Sequence, residues 1–311
     1  MRRLPLPGWV LAGSVTVFAL SWLLAPGHTL SGLRRVTGAP ATPRSPRVPP
    51  VVRYAPPPSA SAEDPAPQEA RIYGFLRTHR VALTFDDGPH PVQTTRLLGI
   101  LERFGATGAF FVNGYWLEQG RPDAEASRAV LQRAHAAGHV IGNHTYSHVP
   151  LHRLSPDEQT WQIVANEVLI SSIIGERPTL FRPPYGSMTR HATRVLAQYG
   201  YVDARWNAAA VDEEVRSARS IADTLLAWLR ANRGGIVLLH DRLPHSVGAV
   251  ELLLRALDDE NCARLSRSEP TFQVVSLDSF RRGAAQSLAL ADQAATERQR
   301  HGERLRKLCP R

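Results

Sequence analysis

The chain holds 311 residues, 43% of them hydrophobic, enough for one large domain or two small ones with an ordinary core, and wholesale disorder is excluded. Its formal charge of +9 comes almost wholly from arginine, Lys307 being the only lysine; that charge suits anionic lipid or cell-wall polymer, and without a dense arginine cluster interleaved with aromatics no nucleic-acid partner is expected. Two cysteines, Cys262 and Cys309, exclude a disulfide framework and a cysteine-rich zinc site, and leave open whether the two pair.

At the amino terminus, Arg2 and Arg3 precede the uncharged run "GWVLAGSVTVFALSWLLA" (8–25), close to the roughly 20 residues that cross a bilayer as a helix. Positive residues before it keep the start in the cytoplasm and send the rest across. The run is long for a signal h-region and "LLAPGHTLSG" offers no clean small-x-small cleavage site. Residues 1–28 therefore read as a membrane anchor, or as a secretion signal if cleaved. In both cases the remainder of the chain is expected outside the cytoplasm, in the cell envelope or periplasm. Residues 29–69, with "APATPRSPRVPPVV" and "APPPSASAEDPAPQEA", read as a Pro-rich linker that cannot build a packed core. A folded domain is expected over 70–282, followed by a basic tail over 283–311.

Strand and helix signals then alternate. "RVALTF" (80–85) is a short apolar strand ending at Asp86, and "TTRLLGILERFG" (94–105) is an amphipathic helix stopped by Gly105. "ATGAFFVNG" (106–114) is the next strand, "EASRAVLQRAHAAGH" (125–139) a helix and "VIGNH" a short strand. "SPDEQTWQIVANEVLISSIIG" (155–175) opens with Ser155 and Glu158 at capping-box spacing. Helix 190–200, strand 201–207, helix 220–233, strand 235–241, helix 247–257 and strand 272–277 complete the pattern, and "ATERQRHGERLRKL" reads as a solvated helix or frayed end. Repeated β-α units of this length predict a parallel α/β sheet, open or closed into a barrel. Ligand sites in such folds lie at the carboxyl ends of the strands. Asp86, Asp87, His144, Asn207 and His240 all fall at or just after predicted strand ends.

"DDGP" (86–89) is good turn chemistry, yet adjacent side chains of a strand face opposite ways, so two such carboxylates could also divide a task. "HTYSH" sets His144 and His148 at i, i+4, which on a helical turn aims both imidazoles together. His135/His139 and His148/His152 share that spacing; the first pair reads as surface or cap and His152 as a polar loop residue. With Asp87, His144 and His148 would make a two-His, one-carboxylate set, as zinc hydrolases commonly have. "FRPPYGS" (181–187) holds Arg182 before two prolines that stiffen the loop, or is simply a rigid turn. His240 sits beside Asp241, which could be no more than its local partner.

Taken in order, "TFDDGP", "HTYSH", "RPPYG" and "LLH" resemble the polysaccharide deacetylases of carbohydrate esterase family 4, over residues 80 to about 280. The resemblance implies a distorted (β/α) barrel and a metal-dependent removal of acetyl groups from peptidoglycan, chitin, related glucosamine polymers or xylan. It implies Asp86 as general base, with Asp87, His144 and His148 as ligands of a divalent metal, zinc being the expected ion. Arg182 would orient Asp86, the Tyr185 N–H would meet the oxyanion, Leu238 would line the acetyl pocket and His240 would be the general acid. Of the family's Asp-x-x-Asp-Trp segment only Asp212 is retained, to tune His240; Ala209 and Glu213 replace the other two, which leaves the glycan preference open. The expected partners are an acetylated polysaccharide and, through the N-terminal segment, a membrane. The alternatives are an O-acetyl esterase on a xylan-type polymer and an inactive, membrane-anchored glycan-binding module.

Overall fold

The computed structural model describes residues 71–74, 77–281 and 288–309. The expected anchor (1–28) and linker (29–69) lie outside the described residues, and among those described no helix is long and apolar enough to cross a membrane.

From the first described residues, β1 (Arg71–Ile72) and β2 (Arg80–Gly88) are followed by α1 (Gln93–Phe104), β3 (Gly108–Val112), α2 (Ala124–Ala136), β4 (Val140–Asn143) and α3 (Pro156–Ile174). Then come β5 (Leu180–Phe181), α4 (Arg190–Gln198), β6 (Val202–Ala204), β7 (Ala208–Ala209), α5 (Ala218–Asn232), β8 (Gly235–His240), α6 (Pro244–Ser266), β9 (Gln273–Val274) and α7 (Leu288–Leu308). All pairings are parallel, in the order β1-β6-β5-β4-β3-β2-β8-β7, with β9 joining the start of β2. The two ends of that order, β1 and β7, do not pair with each other. The sheet is an open, distorted (β/α) barrel, the fold class that the family resemblance implies.

Alternation along the strands makes two cores. Val81, Leu83 and Phe85 of β2 face outward with Leu97, Leu225 and Leu253 of the helices, each buried side chain contributing about 1.5–3 kcal/mol. Ala82 faces inward with Ala109, Phe111, Leu180, Ala204 and Ile236. The inner row then turns polar at the carboxyl ends, where Thr84, Asp86, Arg182 and His240 are buried. The capping box of α3 is formed: Ser155 N donates to Glu158 Oε2 at 2.8 Å and Glu158 N to Ser155 Oγ at 3.4 Å.

Several segments differ from their sequence reading. α6 runs well past the expected 247–257, because its buried stripe continues to Asn261, whose side chain brackets Phe272 (Nδ2 to Phe272 O 2.8 Å, Phe272 N to Oδ1 2.7 Å). Of the expected strand 201–207 only β6 forms, and a separate short β7 begins just after Asn207. Asn207 Oδ1 accepts from Ile236 N at 2.8 Å, at the amino end of β8, so this residue braces the barrel far along the strand from His240. His139 is neither surface nor cap. It is buried against Phe110, its Nδ1 accepts from Gly108 N at 3.2 Å, and burial pushes it down to about 4, so it stays a neutral acceptor. The tail helix is docked rather than solvated: Leu305 is buried, Arg304 grips Asp258 of α6 through two hydrogen bonds (2.9 and 2.5 Å), and Glu297 accepts from Ser276 N at 2.9 Å.

Cys262 and Cys309 are joined in a disulfide across a separation of 47 residues, fixing the end of α7 to α6. Closing a loop of that length restricts the unfolded chain, and losing it is expected to cost about 2–4 kcal/mol. Urea unfolding of the Cys262→Ser/Cys309→Ser protein beside the oxidised parent checks this; an unchanged midpoint would make the bond energetically idle.

Candidate active site

β2 delivers Asp86 to the barrel mouth in line with Ala82 and Thr84. Strict alternation would then turn Asp87 outward, toward the helices. Instead the backbone breaks: Asp87 has φ 71°, the pairing of β2 with β3 shifts between Asp86 and Gly88, and the Gly88–Pro89 peptide is cis. A Cβ on Gly88 would lie 2.3 Å from the Asp241 carboxylate, so only glycine lets the chain pass. Asp87 is thereby turned back to the mouth. Its Oδ1 lies 3.4 Å from His144 Nε2 and 3.2 Å from His148 Nε2, and its Oδ2 3.9 Å from His240 Nε2.

His144 and His148 do not share a helical turn. They lie on the loop after β4, where Thr145 (φ 70°) and His148 (φ 58°) fold the chain back on itself. Asn113 Nδ2 clamps that loop by donating to His144 O (2.6 Å) and Thr145 O (3.1 Å), and Asn166 Nδ2 donates to Thr145 O at 2.9 Å. The i, i+4 spacing is thus met by a loop, not by helical geometry. His152 lies apart, in a short 3-10 turn.

Asp87, His144 and His148 fit a divalent cation. Their ligand atoms lie within 4.8 Å of one another, and Asp87 Oδ1 is buried without a hydrogen-bond partner. His144 Nδ1 lies 2.6 Å from Arg182 O, which fixes its N–H there and leaves Nε2 as the nitrogen facing Asp87; burial lowers this imidazole, but Asp86 and Asp87 outweigh it and raise it. Burial would raise the Asp87 carboxyl, but His144, His148 and His240 outweigh it and hold it at about 2. Two imidazoles and one carboxylate suit zinc among other ions. A second set, Asp87, Glu213 and His240, also lies within 4.8 Å. His240 is also claimed by Asp212 at Nδ1, and Asp212, then Asp86 and Asp87, outweigh burial and raise it to about 9.

Arg182 is fully buried beneath these groups. Its Nη1 donates to Asp86 Oδ1 (2.7 Å) and Thr84 Oγ1 (2.8 Å), its Nε to Ala204 O (3.0 Å), and its guanidinium lies 4.0 Å from the Phe111 ring centre. Asp86 Oδ1 is therefore occupied, while Oδ2 lies on the side of His144 Nε2, 3.7 Å away. Across the mouth, Asp212 takes His240 from two sides: Oδ1 faces His240 Nδ1 and Oδ2 accepts from His240 N, both at 2.9 Å, while Ser246 Oγ donates to Oδ2 at 2.5 Å. Asp212, not the adjacent Asp241, is the partner of His240. Asp241 instead accepts from Thr94 Oγ1 at 2.5 Å, and its burial pushes it up to about 7.

Tyr185 has φ 59° and is 68% exposed, its ring tilted against that of His148 at 4.8 Å between centres; its backbone N–H has no partner among the described residues. Leu238 is half-buried on the inner row of β8 between Ile236 and His240. Glu213 is exposed, with Oε1 3.9 Å from His240 Nε2. The structure thus brings together Asp86, Asp87, His144, His148, Arg182, Tyr185, Asp212, Leu238 and His240, and leaves Asn207 out. Sequence reading missed Thr84, Asn113, Asn166 and Ser246. Only Thr84 left a trace there, as a lone polar residue inside an apolar strand.

The family model for polysaccharide deacetylases matches residues 76–204. The chain is 32% identical over 181 residues to the peptidoglycan-N-acetylglucosamine deacetylase of Bacillus cereus, covering 57% of this chain and 62% of that relative. It is 32% identical over 176 residues to the chitooligosaccharide deacetylase of Bradyrhizobium, covering 56% of this chain and 76% of the relative. The solved structure of the peptidoglycan deacetylase PdaC from Bacillus subtilis superposes with a TM-score of 0.54 at 28% identity, covering 71% of this chain and 96% of that one. The chain spans less than two thirds of the length of the Bacillus cereus relative.

Removing the Asp212 charge takes away the main support of the His240 imidazolium. In Asp212→Asn, the His240 titration is expected to move down from about 9 toward the ordinary range of about 6.5. Histidine-resolved NMR titration reads this directly, and an unmoved midpoint would show that Asp212 does not hold the proton.

Proposed function

The chain belongs to the polysaccharide deacetylase family, and from that premise we propose that it is a metal-dependent hydrolase removing acetyl groups from an N-acetylglucosamine-containing polysaccharide. One observation carries this reading: a carboxylate tied to a buried arginine, a second carboxylate between two imidazoles, and a carboxylate-held imidazolium all face one mouth.

A divalent cation held by Asp87, His144 and His148, zinc in this proposal, would supply Lewis-acid polarisation of the acetyl carbonyl and a lowered pKa for bound water. Asp86 acts as general base through Oδ2, because Arg182 occupies Oδ1 and keeps the carboxylate oriented. The unpartnered Tyr185 N–H, aimed by the left-handed backbone there, donates to the oxygen on which negative charge develops. His240 donates its Nε2 proton to the departing amine while Asp212 holds Nδ1. Leu238, half-exposed beside His240, lines the space for the acetyl methyl. The substrates named in the relatives are peptidoglycan and chitooligosaccharide, and these are the first polymers to test. We place the reaction outside the cytoplasm, a reading supported by the Cys262–Cys309 disulfide and by the uncharged run 8–25.

Acetate release by the full chain is to be followed on peptidoglycan, chitin oligomers, poly-N-acetylglucosamine and acetyl xylan, with and without chelator. Release from at least one amide substrate is expected, lost on chelation and restored by zinc, with Asp86→Asn lowering kcat by about 10²–10⁴. Release from acetyl xylan alone would replace the amidase by an esterase, and an active Asp86→Asn protein would remove Asp86 as base. The proton donor must be charged to act, so the rate is expected to decline as pH rises through about 9, where His240 loses its proton. A flat profile to pH well above that value would take the acid role from His240.

A further inference from the structure

We propose that the rim of the mouth between β3 and β8 is a separate subsite that binds a carboxylate carried on the polymer next to the sugar being deacetylated. Four side chains form it as a ladder. Arg121 lies over Tyr115 (3.4 Å from guanidinium carbon to ring centre), Tyr115 meets Trp116 edge-on at 4.9 Å, and Arg242 lies over Trp116 at 3.5 Å.

The ladder begins at the site and runs outward. Tyr115 and Trp116 occupy the 3-10 turn Gly114–Leu117 just past the carboxyl end of β3, and Tyr115 N donates to Tyr146 O (2.7 Å) in the loop of His144 and His148. Arg242 follows His240 by two residues, and its Nη1 donates to Pro89 O at 3.0 Å, two residues beyond Asp87. The two arginines are 121 positions apart in sequence, so the fold alone makes the cluster.

What singles out these guanidiniums is their lack of an acid. Eight arginines lie over aromatic rings among the described residues. Six of them, Arg71, Arg177, Arg182, Arg255, Arg264 and Arg304, also have a carboxylate within 4.0 Å. Arg121 and Arg242 are the two that make no ion pair among the described residues, and both stand on this rim. Asp241 and Asp87 act on Arg242 only through their field. A guanidinium seated over a ring keeps N–H groups for a ligand, all of them in Arg121 and those beyond the Nη1 bond to Pro89 O in Arg242, and such N–H groups take a carboxylate through charge-assisted hydrogen bonds. A neutral glycan offers this edge only hydroxyls and amides. A glycan whose sugars carry lactyl ethers or uronic acids offers it a matching charge.

The kinetic test rests on the deacetylase reading. Acetate release by the full chain is measured on an N-acetylglucosamine oligosaccharide bearing lactyl carboxylates on alternate sugars, and on the same oligosaccharide with those carboxylates methyl-esterified. The free acid is expected to be preferred about tenfold in kcat/KM, the equivalent of about 1.4 kcal/mol, chiefly through KM. The preference should shrink as salt is raised. It should fall toward one in Arg121→Gln and in Arg242→Gln, made separately, with Arg→Lys at each position recovering part of it. Equal rates on acid and ester in the parent would overturn the subsite. So would variants that lose rate equally on both, since the ladder would then be only a brace for the turn. Calorimetric binding of the same pair to Asp86→Asn protein needs no turnover. A preference there without acetate release from any parent substrate would sink the deacetylase reading and keep the subsite; acetate release without a preference would do the reverse.

Discussion

The site depends first on one buried cation. Arg182 has no exposed surface, and an unpaired guanidinium inside the barrel would cost far more than the fold could carry. Its neighbours are therefore arranged around it: Asp86 and Thr84 from β2, the Ala204 carbonyl at the end of β6 and the Arg205 carbonyl just after it. Its own carbonyl takes the Nδ1 proton of His144. A single residue thus fixes the orientation of the proposed base and the tautomer of a proposed ligand. The inner row of β2 turns polar at Thr84, whose hydroxyl accepts from Arg182 Nη1 and donates to Val237 O.

Around that centre the backbone is bent where regular strands would fail. Ten non-glycine residues among those described have positive φ, and five of them, Asp87, Thr145, His148, Tyr185 and Val211, lie in or next to the mouth. Each such residue costs about 1–3 kcal/mol unless its surroundings hold it. The supports are visible: the Asn113 and Asn166 amides fasten the 144–148 loop, and Ser246 with the His240 N–H seats Asp212 just after Val211. The strain places side chains from four different strand ends in one small volume, which regular β geometry could not do.

Much of this was legible in the sequence, and the remainder was hidden for physical reasons. Alternating apolar runs and helical stripes revealed the β-α succession, because the two periods differ. The polar ends of "RVALTFDD" and "GIVLLHD" marked Asp86 and His240, because buried strands rarely end in charge without a reason. The way Asp87 turns was not legible, since alternation points it outward and only the break at φ 71° brings it back. His139 looked like a helix cap and is a core acceptor, because the Gly108 N–H that it meets is 31 positions away. The arginine-rich tail looked solvated because composition does not reveal that Asp258 and Cys262 wait on α6 to receive it.

Asp86, Asp87 and Asp212 converge at the mouth, and a cluster of carboxylates in a low-dielectric cleft holds together only if each is compensated. Arg182 answers Asp86 at 2.7 Å, and the His240 imidazolium, raised to about 9, answers Asp212 at 2.9 Å. Asp87 is left between two imidazoles, with Oδ1 buried and no donor on it. The His144 Nδ1 proton is committed to the Arg182 carbonyl, so Nε2 is the nitrogen that faces that oxygen; burial lowers this imidazole, but Asp86 and Asp87 outweigh it and raise it. The contact is held by positive charge on one side of it: a proton on Nε2, or a cation standing between Nε2 and Oδ1 in that proton's place. By fixing which nitrogen faces Asp87, Arg182 leaves His144 Nε2, His148 Nε2 and Asp87 Oδ1 gathered in one small volume, where a proton on Nε2 and a divalent cation compete for the same place.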